Sequence, residues 1–206
     1  TFDGQDHTIA NLTINRTDRD YVALFGRTGG GMIVNVSLED VEVTGNRQVG
    51  SLVGSHGGGV VSASSATGTV DGSTSVGGLV GDSYGRVSNS TAAVSVTGSE
   101  QVGGLVGLSS GYSTSKGIVN TSHATGTVDG TSYVGGLVGR NYDGGGVPTV
   151  KTSSATGSVN GSDYVGGLIG GNSGETKISN ASGTVTGSQN MGGLVGYSSG
   201  TVNSSY

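Results

Sequence analysis

Fourteen acidic side chains and three histidines are the first candidates for proton transfer or metal binding in this 206-residue chain, which has no cysteine. Asp71 and Asp129 stand out because each follows a near-identical stretch, SATGTV (Ser65–Val70) and HATGTV (His123–Val128), and each precedes a glycine. Two like-placed acids on one face could cleave a glycosidic bond, one giving a proton and one activating water. Aspartate before glycine also makes turns, and that role is preferred here, as is a structural role for Asp3, Asp6 and His7. The zinc pattern His-Glu-x-x-His does not occur, and the Gly-x-Ser-x-Gly spacing at Gly81–Gly85, Gly107–Gly111 and Gly196–Gly200 falls in step with the repeat, so no nucleophile is assigned. Calcium-binding nonapeptides are missing too, since "DGGGV" (Asp143–Val147) does not fit them. No catalytic, cofactor or metal residue is assigned, and the chain is expected not to be an enzyme.

Other side chains could mediate contact. Eight Asn-x-Ser/Thr sequons, at Asn11, Asn15, Asn35, Asn89, Asn120, Asn160, Asn180 and Asn203, could carry glycans in an exported protein. Asn and Ser are also frequent in turns, which is the preferred explanation. Tyr84, Tyr112, Tyr133, Tyr142, Tyr164 and Tyr197 could bind sugar rings, although packing is preferred. Tyr133 and Tyr164 share a repeat position and are expected to stack on each other.

The elements that position these residues follow from composition and repetition. Glycine accounts for 44 residues and proline for one, without collagen's three-residue period. Abundant valine and only 11% charged residues argue against disorder. A net charge of −5 argues against nucleic acid as a partner. No apolar run reaches membrane-spanning length, so no membrane insertion is expected of this segment. Residues 1–20 hold four aspartates and no apolar run, so no signal peptide is visible. The abrupt beginning and end lead us to expect a piece of a longer chain.

A glycine-rich hexapeptide recurs seven times: YVALFG (Tyr21–Gly26), VGSLVG (Val49–Gly54), VGGLVG (Val76–Gly81, Val102–Gly107, Val134–Gly139), VGGLIG (Val165–Gly170) and MGGLVG (Met191–Gly196). The spacing of its leucines is 26–32 residues, which marks a solenoid. Valine, threonine and serine favour strands over helices, and alternation puts Ala66, Gly68 and Val70 inward. The fold class is therefore all-β: a parallel β-solenoid of about seven coils, with two or three short strands per coil. Parallel crossovers make it right-handed. Leu52, Leu79, Leu105, Leu137, Leu168 and Leu194 should stack in one buried column. Glycine lets the coils turn sharply and approach closely. In the Asp71-Gly72, Asp129-Gly130 and Asn160-Gly161 turns it would also supply positive φ. Two longer spacings predict loops at Ser109–Lys116 and Tyr142–Thr149, bulging on one face.

On the outside, a surface ladder is expected to run along one strand position over five coils. Its rungs are Thr67 with Thr69, Ala93 with Ser95, Thr125 with Thr127, Thr156 with Ser158, and Ser182 with Thr184. A flat Thr-x-Thr array would resemble an ice-binding face. Ala93 breaks the row, and Asp40 and Glu42 disturb the coil before it.

The Gly-Leu-Val-Gly core with its Ala-Thr-Gly companion resembles the GLUG-motif repeat family over nearly the whole chain. The opening TFDGQDHTIANLTI (Thr1–Ile14) is similar to the segment that often leads into such arrays. On this resemblance residues 1–26 form an opening coil and 27–206 the GLUG-type coils of one solenoid segment. The resemblance implies an extracellular or cell-surface setting, among adhesin-like proteins and the accessory regions of IgA-protease-type proteins. It implies no single activity. The function expected is a non-catalytic structural or adhesive module. Its partners would be other copies or neighbouring domains end to end, or a cell-surface glycan or protein. The alternatives are a glycan-binding or polysaccharide-acting module and an ice-binding solenoid.

Overall fold

The computed structural model describes residues 1–113 and 115–206. Every regular element among them is a β-strand, and the strands form four sheets whose neighbours come from successive coils. One coil illustrates the plan. Ser65–Asp71 lies in the first sheet, Thr74–Gly77 in the second, Val80–Ser83 in the third and Arg86–Ser88 in the fourth. Each strand pairs in parallel with its counterparts one coil away, as in Val49–Val76–Val102–Val134–Val165–Met191.

The coil holds four strands, not the two or three expected. The hexapeptide itself supplies two of them, since Val76-Gly77 closes one strand and Val80 opens the next. Gly78 and Leu79 form the corner between. The leucines occupy one column as expected, but Leu194 at its end is only half-buried. Leu52, Leu79, Leu105, Leu137 and Leu168 are fully buried. Each of these donates its backbone N–H to the carbonyl of the next leucine in the column, at 2.8–3.0 Å. Complete burial of each such side chain is worth about 1.5–3 kcal/mol.

The first hexapeptide does not align residue for residue. Val22, not Tyr21, bridges to Val49, while Phe25 pairs with Val53. One residue is therefore missing from this corner. Tyr21 instead takes the left-handed position that Gln48, Ser75, Gln101, Tyr133, Tyr164 and Asn190 hold in later coils.

Left-handed backbone is carried mainly by residues other than glycine. Gly72, Gly130 and Gly161 do not have positive φ, contrary to the turn expectation. They are needed for space: a Cβ on Gly72 would lie 2.8 Å from Val49 Cγ2 and 2.9 Å from Val76 Cγ2.

At the corner after the fourth sheet a second left-handed column runs through Asn35, Ala63, Asn89, Thr121, Thr152, Ile178 and Ser204. A serine follows the last six of these. Its hydroxyl donates to the carbonyl two residues back, as Ser90 does to Ser88 at 2.8 Å. The same oxygen accepts a backbone N–H from the preceding coil, as Ser90 accepts from Ser64 at 3.3 Å. A β-branched residue is poorly suited to positive φ, at a cost of about 1–2 kcal/mol. Ile178 is also largely exposed. Ile178→Asn, restoring the residue found at Asn35 and Asn89, should stabilise the chain by about 1 kcal/mol, read as a raised urea midpoint with unchanged slope. A lower midpoint would refute the strain argument.

The two lengthened coils meet on one face. The first extension is a hairpin, not a free loop: Val106–Tyr112 turns back on Ser115–Lys116, pairing Gly111 with Lys116 and Tyr112 with Ser115. Thr114, within the loop expected at Ser109–Lys116, lies outside the described residues. The second extension packs onto the first. Val138–Asp143 pairs along the hairpin strand as far as Gly111, and Gly144 N–H donates to Gly111 O at 2.8 Å.

Candidate functional site

The solenoid places like residues in columns, and the acids show the consequence. Asp71, Thr97, Asp129, Asn160 and Thr186 share one column. Asp129 accepts from Asn160 Nδ2 at 3.1 Å. Asp3, Asp20 and Asp163 likewise accept from Asn35, Asn46 and Asn190 of the following coil. Asn35, together with the Gln5 backbone N–H, holds the Asp3 carboxyl below its usual range, the backbone bond contributing more. These acids act as axial clasps between coils.

The histidines are dispersed. His123 sits outside with Nδ1 2.7 Å from Ser154 Oγ. His56 is buried, its Nδ1 2.9 Å from Thr28 Oγ1 and its Nε2 without a partner. Burial pushes its pKa down. Among the described residues no group of three His, Asp or Glu side chains is placed to hold a metal ion.

His56 belongs to a polar interior column that the sequence reading overlooked. Thr28, His56, Ser83, Ser109, Asn141, Asn172 and Ser198 follow one another in the third sheet. Asn141 Nδ2 donates to Asn172 Oδ1 at 2.8 Å, and Asn172 Nδ2 donates to Ser198 Oγ at 3.2 Å. The signal was present: the second residue after every hexapeptide is polar.

The outward column of the same sheet contains Arg27, Ser55, Asp82, Leu108, Arg140, Gly171 and Tyr197. Asp82 is only 5% exposed and its Oδ1 has no partner. Burial raises its pKa to about 7, against the opposing influence of the Tyr84 hydroxyl and the Ser83 backbone. Burial also raises the pKa of Tyr84, helped by the neighbouring Asp82 charge.

Tyrosines gather on the outer face. Tyr133 and Tyr164 stack as expected, with centroids 4.7 Å apart and planes at 9°. Tyr197 meets Tyr164 edge-on at 5.6 Å. The Arg140 guanidinium lies 4.7 Å from the Tyr133 centroid and 4.5 Å from that of Tyr142. Such contacts contribute about 0.5–1 kcal/mol each where exposed. Nearer the hairpin, Gly57, Tyr84, Tyr112 and Ser115 line an open surface cleft of about 340 Å³.

The ladder is continuous strand only in its first two rungs. Thr67 pairs with Ala93 and Thr69 with Ser95, all within strands. In the next three coils the strand splits into short pairs, such as His123–Ala124 and Val128–Asp129. The rung residues there fall in the gaps. Thr125 and Thr127, Thr156 and Ser158, and Ser182 and Thr184 are exposed but belong to no strand. The expectation of a single strand row across five coils is therefore corrected at Thr125, Thr127, Thr156, Ser158, Ser182 and Thr184. The physical reason is glycine stacked on glycine: Gly126, Gly157 and Gly183 follow one another at this position, whereas Gly68, in an unbroken strand, lies between Val41 and Val94. A Cβ on Gly157 would collide with the Gly126 carbonyl, and one on Gly183 with that of Gly157, so the backbone of adjacent coils closes up at this point. The strands on either side remain in register, through Ala124, Ala155 and Ala181 before the gap and Val128, Val159 and Val185 after it. Thr67 is half-buried, and its Oγ1 accepts the Asp40 N–H at 3.0 Å. Thr127 Oγ1 donates to Ser95 Oγ at 3.2 Å. Of the sequon asparagines, Asn11, Asn15, Asn89, Asn160 and Asn203 are exposed, while Asn35, Asn120 and Asn180 are half-buried.

Comparison with known proteins places this arrangement. The model of the family described as the GLUG motif matches residues 45–71 and 130–160. A stretch of 59 residues, 28% of the chain, is 43% identical to halomucin of Haloquadratum walsbyi, and spans 1% of that protein's length. The fold is similar, with a TM-score of 0.74 and 23% identity, to a crystal structure of a candidate immunoglobulin A1 protease from Bacteroides ovatus. That likeness covers 100% of this chain and 69% of the other, and it is a likeness of fold alone. Two segments of the chain thus match the GLUG motif, and they lie within a parallel β-solenoid.

Proposed function

We propose that the chain is a rigid extracellular module that spaces or adheres and turns over no substrate. The observation that carries this reading is the stacking of four sheets coil upon coil, interrupted in register only between Ala66 and Gly68 and at the shortened first corner, where Val22 makes a lone bridge to Val49. A stack of this kind is stiff along its axis and repeats its outer groups in rows, which suits weak multivalent contact. Catalysis needs unlike groups converging on one point, whereas Asp129 is paired with Asn160 and the histidines lie apart. The likeness to part of halomucin supports a setting outside the cell. The likeness to a candidate protease, at 23% identity, is one of fold alone and carries no chemistry to this chain.

Beads coated with the chain should adhere to a polysaccharide or cell surface, or stand off from it, without releasing reducing sugar or cleaving immunoglobulin A1. Product formation that falls in Asp71→Ala or Asp129→Ala would overturn the non-catalytic reading.

A further inference from the structure

The two lengthened coils converge where the repeat is otherwise uniform. Tyr112 ends the outer hairpin strand and is 66% exposed, and Ser115 pairs with it across the turn. Tyr84 comes from the neighbouring coil, its N–H bound to His56 O at 2.8 Å. With Gly57 these residues line an open surface cleft of about 340 Å³, a volume in the range of small-ligand sites. Two aromatic rings, a hydroxyl and a glycine backbone form the described lining, without a charged side chain. The Tyr84 hydroxyl is turned to the buried Asp82, so the Tyr112 and Ser115 hydroxyls are the ones a purely apolar ligand would leave unmatched, and an ionic ligand finds no counter-charge among the described lining residues. A sugar ring suits both parts, with C–H faces for the aromatic rings and hydroxyls for the polar rim.

The aromatic surface continues beyond the cleft. A Cβ on Gly144 would lie 3.0 Å from Tyr112 Cδ2 and 3.4 Å from Tyr142 Cε1, so these two rings flank one glycine. Tyr142 leads through Arg140 to Tyr133. Tyr84, Tyr112 and Tyr142 come from three successive coils and so step along the solenoid axis at about 4.8 Å per coil, whereas Tyr133 lies in the same coil as Tyr142, so the track for a linear ligand turns across the axis there. We propose that the Tyr84–Tyr112 cleft holds one residue of a neutral polysaccharide whose chain continues over Tyr142 towards Tyr133. This inference rests on the adhesive reading and names its ligand class.

The test is affinity electrophoresis of the full chain in gels containing mannan, xyloglucan or dextran, with heparin as an acidic comparator. Tyrosine fluorescence provides a second readout, because the chain has no tryptophan. At least one neutral polysaccharide should retard the chain. Tyr112→Ala should weaken that binding about tenfold, while Tyr112→Phe keeps it, and both variants should melt as the parent does. The proposal is overturned if no neutral polysaccharide retards the chain, if only heparin does, or if Tyr112→Ala binds like the parent. Bead adhesion that persists in Tyr112→Ala would reject the cleft while leaving the adhesive function standing.

Discussion

Alanine at Gly135 is expected to destabilise the solenoid by about 3 kcal/mol or more, while alanine at Gly193 is expected to be almost neutral. A Cβ on Gly135 would collide with the Val138 carbonyl and approach Gly170 N to 2.7 Å. Both obstacles are backbone, one in the same coil and one in the next, so no rotamer change relieves them. Gly193 meets no atom within 4 Å. Composition and local sequence are nearly the same at the two sites, so propensity alone predicts equal effects. Urea unfolding followed by circular dichroism separates these accounts, and equal losses would reject close approach as the reason for glycine. The column containing Gly136 adds a refinement. Ser51 fills that position in an early coil, its Oγ donating to Gly78 O at 2.6 Å. Gly136→Ser should accordingly cost less than Gly136→Ala.

Asp82→Asn should stabilise the chain at pH 8 by about 2 kcal/mol or more and change little at pH 3.5. The folded carboxyl keeps its proton up to about pH 7, whereas the ordinary value for the free group is 3.8. Between those values the folded state binds more protons than the unfolded one. Stability therefore falls as pH rises through this window and is flat above it. The full shift corresponds to roughly 4 kcal/mol at 1.36 per unit, an upper bound. Asparagine keeps the shape and has no proton to lose. His56 acts in the opposite direction. Its pKa is depressed, so stability falls as pH drops below 6.5, where the unfolded imidazole gains a proton that the fold refuses. Thermal melts from pH 3.5 to 8 test both residues. A gain from Asp82→Asn that does not vary with pH would show that packing, not ionisation, is responsible.

The repeat, the strands and the leucine column were legible because they depend on periodicity, and a solenoid reproduces periodicity directly in space. The Tyr133–Tyr164 stack was legible for the same reason. Four features were not. The shortened first corner was hidden because aligning on Gly26 and Leu24 kept six residues where the backbone uses five. The turn glycines were assigned a dihedral role, but their cause is the valine methyl groups of adjacent coils, which only tertiary packing reveals. Alternation read Thr156 and Ser158, or Ser182 and Thr184, as strand, whereas the close approach of stacked glycines between them interrupts it. The burial of Asp82 is a matter of tertiary neighbours, with the Tyr84 hydroxyl beside it and Leu108 paired to it from the next coil, which the repeat pattern does not reveal. The candidate cleft arises similarly, since Gly57, Tyr84 and Tyr112 belong to three coils and share no motif.

The serine joint at the corner after the fourth sheet is indifferent to how long a coil is. Ser64 and Ser90 lie 26 residues apart and Ser90 and Ser122 lie 32 apart, yet each pair is joined by the same 3.3 Å N–H to Oγ contact. Duplication or loss of whole coils in the gene would therefore rejoin like to like, changing the protein's height in steps of about 4.8 Å. Insertions within a coil alter its decoration and leave the pitch alone. Reach and recognition can thus evolve as separate heritable traits, the first through copy number and the second through the two extensions that carry Tyr112 and Tyr142.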